Sequence, residues 1–159
     1  MNRTILCCLA MLGVLCGPGY PQGIITTVAG TEWIFPGDGR LAINAPLGRG
    51  LGVAADRSGN VFIGDPDNGM VMRVSSDGIL KVVAGNGIFG FSGDGGPATS
   101  ASLSAGFPMG IAVDAAGNLY IADTFNERVR RVTPSGVIST VAGNGETGYT
   151  PDGAPATAA

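Results

Sequence analysis

Short apolar runs separated by glycine-rich turns recur along most of the chain. The runs are rich in Val, Ile, Leu and Tyr and are about as long as ordinary β-strands. The clearest set lies at residues 110–114, 118–123, 128–133 and 137–142. Gly117 and Gly136 stand between these runs, where tight connections need a positive φ. The pattern predicts sequential antiparallel strands and an all-β fold.

This set of four runs occurs twice. Gly52 matches Gly110, 58 positions later, and the match continues without a gap to Gly87 and Gly145. A repeat at a fixed period indicates units that bury their apolar faces by stacking on one another. Solenoid units are usually shorter, roughly 20 to 45 residues. We therefore predict a partial β-propeller built of four-stranded antiparallel blades, with about two complete units.

The repeat also predicts how the chain is organised. We expect a signal peptide at residues 1–22 and a partial propeller at 23–159. The propeller would comprise a leading strand, unit one, unit two and an unfinished unit, at residues 24–30, 46–87, 104–145 and 146–159. The leading strand resembles the last strand of a unit, so it is expected to complete the final blade of a ring. Further blades or other chains are needed to close that ring, and we interpret the chain as a fragment of a larger propeller.

The first residues differ from the rest. Arg3 supplies a positive charge, and residues 5–15 form an apolar run that is too short to span a bilayer. A cleaved signal peptide is predicted, with export to the periplasm, cell surface or exterior and no stable membrane span after cleavage. The alternatives are an uncleaved anchor or a buried strand. Lipid anchoring at Cys16 is a minor alternative, because Leu15 before it fits a lipoprotein signal poorly.

Composition removes several classes of function. The formal net charge is −3, and no stretch concentrates Lys or Arg, so nucleic acid is not an expected partner. All three cysteines lie within the first 16 residues, and histidine is absent. The usual general base and the commonest metal ligand are therefore missing. No catalytic residue, cofactor or metal site is predicted.

The acidic and amide residues of the repeat have a structural interpretation. Asp65 and Asp123 each end a strand, and Asn68 and Asn126 follow three residues later. Such short side chains bond turn amides and hold a hairpin together. Ligand binding is the alternative for these four residues. Arg73 and Arg131 recur at one blade position, and we expect them to satisfy backbone or carboxylate acceptors between blades.

Four residues are candidates for surface contact. Arg128 and Arg130 are spaced by two and so point to one face of a strand, and the first unit has methionines in their places. They either line a surface site or form a solvated edge that discourages strand pairing. Phe91 and Tyr149 lie in glycine-rich connections, which we expect to be ordered loops on one rim.

The second unit resembles a known repeat. Residues 108–114 read Pro-Met-Gly-Ile-Ala-Val-Asp, residues 117–124 read Gly-Asn-Leu-Tyr-Ile-Ala-Asp-Thr, and residues 126–132 read Asn-Glu-Arg-Val-Arg-Arg-Val. Together they look like an NHL repeat through almost its full length, and the first unit is a looser match. The chain thus resembles an exported bacterial NHL-repeat protein. The resemblance implies a propeller, and such propellers occur in receptors, sensor kinases, lyases and regulators of RNA, so it implies no single activity.

Two classes of function remain. The first is an exported, non-catalytic binding or scaffold module that takes an unidentified protein or small-molecule ligand on a propeller rim. The second is the N-terminal part of a propeller lyase or lactonase-like hydrolase whose catalytic residues lie on blades outside this chain. A gene fragment without independent function is a third interpretation.

Overall fold

The computed structural model describes residues 35–49, 51–106 and 108–159, which belong to one compact unit, Trp33–Ala159. The predicted signal peptide, the cysteines and the leading strand at 24–30 lie outside the described residues. No helix within those described ranges is long and apolar enough to cross a membrane.

The described residues form two four-stranded sheets, which we call blade one and blade two. The strands of blade one are β1 (Gly52–Ala55), β2 (Val61–Asp65), β3 (Met70–Val74) and β4 (Leu80–Ala84). The strands of blade two are β5 (Ile111–Val113), β6 (Leu119–Asp123), β7 (Arg128–Val132) and β8 (Ile138–Ala142). Short 3-10 helices occur at Ala42–Asn44, Ala98–Ser100, Thr124–Asn126 and Ala156–Ala158.

Both blades are antiparallel meanders with the same pairing. Ile63 of β2 is opposite Met72 of β3, and Ile121 of β6 is opposite Arg130 of β7. The pairing of the third and fourth strands shifts at the same place in each blade, directly before Met72 and before Arg130. The prediction of an all-β partial propeller with four-stranded blades is confirmed.

One face of blade two packs on one face of blade one. In blade one we call the face of the sheet that carries the Met72 side chain the front, and in blade two the face that carries the Arg130 side chain. The other face of each sheet is the back. The back of blade one contributes Phe62 and Val71 to a shared apolar core, and the front of blade two contributes Leu119 and Ile121. Burial of these side chains stabilises the stack, because each face alone would leave its apolar area in water.

The glycine-rich connections do more than form rim loops. The segment that precedes each blade runs along that blade's fourth strand and extends the sheet. Gly39 and Arg40 exchange backbone hydrogen bonds with Leu80 of β4, and Gly95 and Gly96 do so with Ile138 of β8. Besides forming the expected ordered loops, the connections therefore pair with the sheets. These segments cover sheet edges that would otherwise expose unpaired amides and carbonyls.

The same segments also bind the preceding blade. Gly85, directly after β4, donates its amide to the carbonyl of Ala98, and Gly143, directly after β8, donates to the carbonyl of Ala156. Residues 93–101 therefore contact the end of blade one and the outer edge of blade two. One segment ties two successive blades together.

Candidate functional site

The carboxylates that end β2 and β6 hold the following turn. Asp65 accepts hydrogen bonds from the backbone amide (3.1 Å) and the side-chain amide (2.8 Å) of Asn68. Asp123 accepts one from the side-chain amide of Asn126 at 2.8 Å. Both carboxylates are fully buried. The structure thus brings together the pairs Asp65–Asn68 and Asp123–Asn126, and every one of these hydrogen bonds is internal to the fold.

Each carboxylate also reaches back to the segment before its blade. Asp65 accepts from the backbone amide of Gly48 at 2.8 Å, and Asp123 accepts from that of Ser104 at 2.7 Å. The sequence offered no signal for this contact, because the partners are 17 and 19 residues away in a loop without regular structure. The two aspartates fix the entry of the chain into each blade.

Arg130 lies fully buried between two carboxylates. Its guanidinium contacts Asp123 at 3.2 Å and Asp94 at 2.8 Å, and it also donates to the carbonyl oxygen of Ser92. The expectation that Arg130 is a surface residue is corrected, because its side chain has no exposed area. The alternative of a solvated edge is also wrong for both Arg128 and Arg130, since β7 pairs with a strand on each side. Arg130 is an internal counter-ion.

Phe91 packs against both arginines of β7. The guanidinium carbon of Arg128 lies 3.9 Å from the ring centroid, and that of Arg130 lies 4.7 Å from it. These are cation–π distances. Arg128 also donates to the carbonyl oxygens of Asn126 and Asn144. The Phe91 side chain is still half exposed. The Arg128 guanidinium is held by the two carbonyl oxygens and by the Phe91 ring.

Blade one fills the same positions with apolar side chains. Phe35 stands 56 positions before Phe91, and it packs in a buried cluster with Met70 and Met72, which replace the two arginines. A buried apolar cluster thus takes the place of the arginines and their cation–π contacts. The side chains at these positions thus differ in chemistry between the two blades, whereas the strand pairing is the same.

Arg73 and Arg131 are half-buried at equivalent positions of the two blades. The Nε atom of each is buried and has no hydrogen-bond partner among the described residues. Both side chains lie on the backs of their sheets, opposite Phe62 and Tyr120 respectively. Binding of the two guanidinium groups to acceptors between blades stays a prediction.

Exposed apolar residues concentrate in one loop. We call residues 86–92 the tip loop; it follows β4 and exposes Ile88, Phe89 and Phe91. Asn86 shapes its start, because its side chain accepts from the amide of Ile88 and donates to the carbonyl oxygen of Ser100. Sequence reasoning identified Phe91 but missed Ile88 and Phe89, although their exposure could have been inferred from the polar residues at the equivalent positions.

The corresponding loop after β8 has the same shape and different chemistry. Asn144 accepts from the amide of Glu146 and donates to the carbonyl oxygen of Ala158, as Asn86 does in the tip loop. Glu146 and Thr147 stand where the tip loop has Ile88 and Phe89. Tyr149, the counterpart of Phe91, is largely exposed, and its hydroxyl lies 3.4 Å from Asp152.

The acidic groups near these loops serve structure. Partial burial raises the pKa of Asp94, but the adjacent Thr140 and the charge of Arg130 outweigh this effect, so the pKa lies below its ordinary value. A carboxylate with a lowered pKa stays ionised at neutral pH and is a poor proton donor. Within the described ranges no group of three or more acidic, histidine or cysteine side chains is placed to hold a metal ion.

Known sequences resemble the chain over its repeats. The sequence model of the Teneurin NHL domain matches residues 90–157. Mouse teneurin-4 is 38% identical over 102 residues, which cover 56% of this chain and 4% of that protein. Mouse teneurin-1 is 32% identical over 107 residues, or 59% of this chain and 4% of the relative. The chain thus spans only a small part of the length of these relatives.

Solved structures with a similar backbone include two from Bacteroides thetaiotaomicron. One is described as a putative phosphatase, with a TM-score of 0.45 and 23% identity over 59% of this chain and 22% of that one. The other is described as an auxiliary nutrient binding protein, with a TM-score of 0.47 and 19% identity over 64% of this chain and 27% of that one.

The repeat, the blades and the sequence match agree with one another. The matched residues 90–157 include all of blade two and both of the segments that tie it to its surroundings. The strands of blade one follow the same pattern 58 positions earlier, as Gly52 and Gly110 show. The chain is therefore built of repeats of the NHL type, and over residues 90–157 it resembles the Teneurin NHL domain.

Proposed function

We propose that the protein is an exported, non-catalytic binding and scaffold module that contacts a partner protein through the tip loop. The blades supply a rigid frame, and the loop supplies the contact surface. Placing variable loops on a rigid β-scaffold is a common way to build a binding site.

The observation that carries this proposal is the contrast between the two equivalent loops. Ile88 and Phe89 are exposed, although the same loop shape is compatible with Glu146 and Thr147. The frame therefore does not require apolar residues there. Exposed apolar side chains that the fold does not need are characteristic of an interaction site.

A protein is a better partner than a small molecule. Small-molecule sites are concave and enclose most of their ligand. Ile88 and Phe89 instead stand exposed next to the half-exposed ring of Phe91. Exposed aromatic and aliphatic anchors of this kind contribute most when they insert into a pocket on another protein.

The absence of catalysis is supported by how the candidate groups are used. The chain has no histidine, and the carboxylates of Asp65, Asp94 and Asp123 bond to amides and to Arg130 within the fold. Export is supported by the basic start and by the short apolar run at residues 5–15. The alternative lyase or hydrolase places its catalytic groups outside this chain, and nothing in the described residues favours it.

A loop exchange tests the binding site. The double variant Ile88→Glu/Phe89→Thr gives the tip loop the residues that the second loop already carries, so the fold should be retained. Random linear peptides displayed on phage would be selected on the wild-type chain, and their affinities measured for both proteins. We expect the double variant to bind the selected peptides at least about ten-fold more weakly, because the apolar anchors are lost.

Ile43→Thr is the matched control. Ile43 is also exposed, and its counterpart in the second unit is Thr99, so the exchange likewise replaces an exposed apolar residue with its repeat equivalent. This variant should bind the peptides like the wild type. Peptides that bind the loop-exchange variant as tightly as the wild type would rule out the tip loop as the contact site.

A further inference from the structure

Arg128 joins three loops on the rim that carries the tip loop. Its guanidinium carbon lies 3.9 Å from the ring centroid of Phe91 in the tip loop. The guanidinium also donates to the carbonyl oxygen of Asn126, in the turn between β6 and β7, and to that of Asn144, in the loop after β8, both at 2.7 Å. These loops therefore form one continuous surface. We call it the rim surface, and it comprises residues 86–92, 124–128 and 144–149.

Phe125 adds a further apolar side chain to the rim surface. It is 68% exposed, and the side-chain amide of the next residue, Asn126, donates to the carbonyl oxygen of Gly90 in the tip loop at 2.8 Å. The counterpart of Phe125 in blade one is Asp67, which is paired with Arg49. The same turn thus accepts an aspartate, so the fold does not require an apolar side chain at this position.

The exposure of these side chains does not arise from the lack of a neighbouring blade. The tip loop connects blade one to blade two, and Ile88 is nevertheless 64% exposed with both blades in place. Glu146 occupies the position of Ile88 in the loop after β8 and is exposed as well. Phe125 faces the segment before its own blade, because its ring would lie 3.9 Å from a Cβ added to Gly106. These positions are exposed because they lie on the rim.

Acidic side chains border the apolar part of the rim surface. Glu127 and Glu146 are exposed, and neither carboxylate takes part in an ion pair among the described residues. Arg128 is the only cation in the sequence of the rim surface, and its guanidinium is held by the carbonyl oxygens of Asn126 and Asn144. The rim surface thus combines exposed apolar side chains with an excess of negative charge.

We propose that the partner protein presents a segment in which apolar residues stand next to a lysine or arginine. The apolar residues contact the tip loop and Phe125, and the basic residue contacts Glu127 and Glu146. This inference rests on the proposed binding function of the tip loop and adds the chemistry of the partner. Complementary charge favours a basic segment over an acidic one, since like charges across an interface repel each other.

Phage-selected linear peptides test the apolar part of the proposal. Peptides selected on the full-length wild-type chain should be enriched in sequences that place Lys or Arg beside apolar residues. Phe125→Ala should weaken their binding at least about five-fold, because an exposed aromatic anchor is lost. Phe125→Leu keeps an apolar side chain and should retain most of the affinity. Circular dichroism of both variants would show that the fold is intact.

A double-mutant cycle tests the charge. The variant Glu127→Gln/Glu146→Gln should bind the peptides about three-fold more weakly and lose most of the salt dependence of binding. Replacing the basic residue of the peptide with glutamine should weaken binding to the wild type but not to this variant. Arg57→Gln is the control. Arg57 is an exposed charge in the turn between β1 and β2, on the opposite rim, so this variant should bind the peptides like the wild type.

The outcomes separate this inference from the proposed function. Peptides that lose affinity for the Ile88→Glu/Phe89→Thr chain but bind the Phe125→Ala and glutamine variants normally would overturn the inference and leave the tip loop as the contact site. Selected peptides without basic residues, or binding that is independent of salt, would also overturn it. Binding that the tip-loop exchange leaves unchanged would overturn both proposals.

Discussion

Two equivalent positions, Met72 and Arg130, show how one backbone supports different chemistry. Met72 belongs to an apolar cluster that includes Phe35, whereas Arg130 is held by Asp94 and Asp123 beside Phe91. A buried cation is retained only when its charge and its donors are satisfied. Asp65, at the end of β2, therefore has uncharged hydrogen-bond partners, whereas Asp123, at the end of β6, also has the charged Arg130.

This difference predicts unequal costs for the same substitution. Asp65→Ala removes an acceptor for the amides of Gly48 and Asn68 and should cost about 1 to 2 kcal/mol of unfolding free energy. Asp123→Ala also leaves Arg130 with one carboxylate fewer in a buried site, and should cost about 3 kcal/mol or more. Urea unfolding of the two variants measures both. Equal losses, or a smaller loss for Asp123→Ala, would contradict the role given to Arg130.

Acid should weaken the fold partly through Asp94. The pKa of this carboxyl is lower in the folded chain than its ordinary value of 3.8, so the unfolded chain binds the proton more readily. Its contribution to stability is complete well above pH 3.8 and is lost as the pH falls through the folded pKa. Asp94→Asn should therefore flatten the fall in stability below about pH 4, measured by urea unfolding across that range. Parallel profiles for the variant and the wild type would contradict this.

Among the elements, the glycine-rich segment after each fourth strand has no regular strand and hydrogen-bonds to the blade that it leaves. Its glycines allow close approach: Gly143, directly after β8, has φ +86°, and an added Cβ would lie 2.0 Å from the carbonyl oxygen of Glu127. Gly136, in the turn between β7 and β8, has a similar φ of +82° but open space around it. Substitutions at these two glycines therefore distinguish the cost of a positive φ from the cost of a steric collision.

Gly136→Ala should cost only the strain of a positive φ, about 1 kcal/mol. Gly143→Ala adds a collision with backbone, so we expect a loss at least about twice as large, with weaker protection of the Gly143 amide bonded to Ala156. Thermal unfolding and hydrogen exchange measure the two effects. If both variants lose the same stability, the close approach at Gly143 is not a constraint.

The strands could be predicted from the sequence, but the contacts between the strands and the connecting segments could not. The periodicity of apolar residues located β6 and β7 to within one residue at each end. This was possible because the polarity of each residue in a strand indicates whether its side chain lies on the buried or the exposed face. The ion pair between Asp94 and Arg130 joins residues 36 positions apart. Its prediction requires the path of the segment before the blade, and glycine-rich segments carry no such periodic signal. The burial of Arg130 was missed for the same reason.

For the whole molecule, the sequence predicts export. Cleavage of the signal peptide should give a mature chain that starts near residue 23, because the apolar run at 5–15 is followed by the helix-breaking Gly17-Pro18. Mass spectrometry of fractionated cells identifies the N-terminus of the protein and its compartment. A chain that begins at Met1 and stays in the cytosol would contradict export.

Nuclear Overhauser effects in solution test whether two equivalent four-stranded blades stack on each other. Matching cross-strand contacts are expected for Ile63 with Met72 and for Ile121 with Arg130. A contact is also expected across the blade interface between the β- and γ-protons of Met109 and the α-protons of Gly64. Helical contacts in either unit, or cross-strand contacts without any between Met109 and Gly64, would contradict the stacking of two equivalent blades.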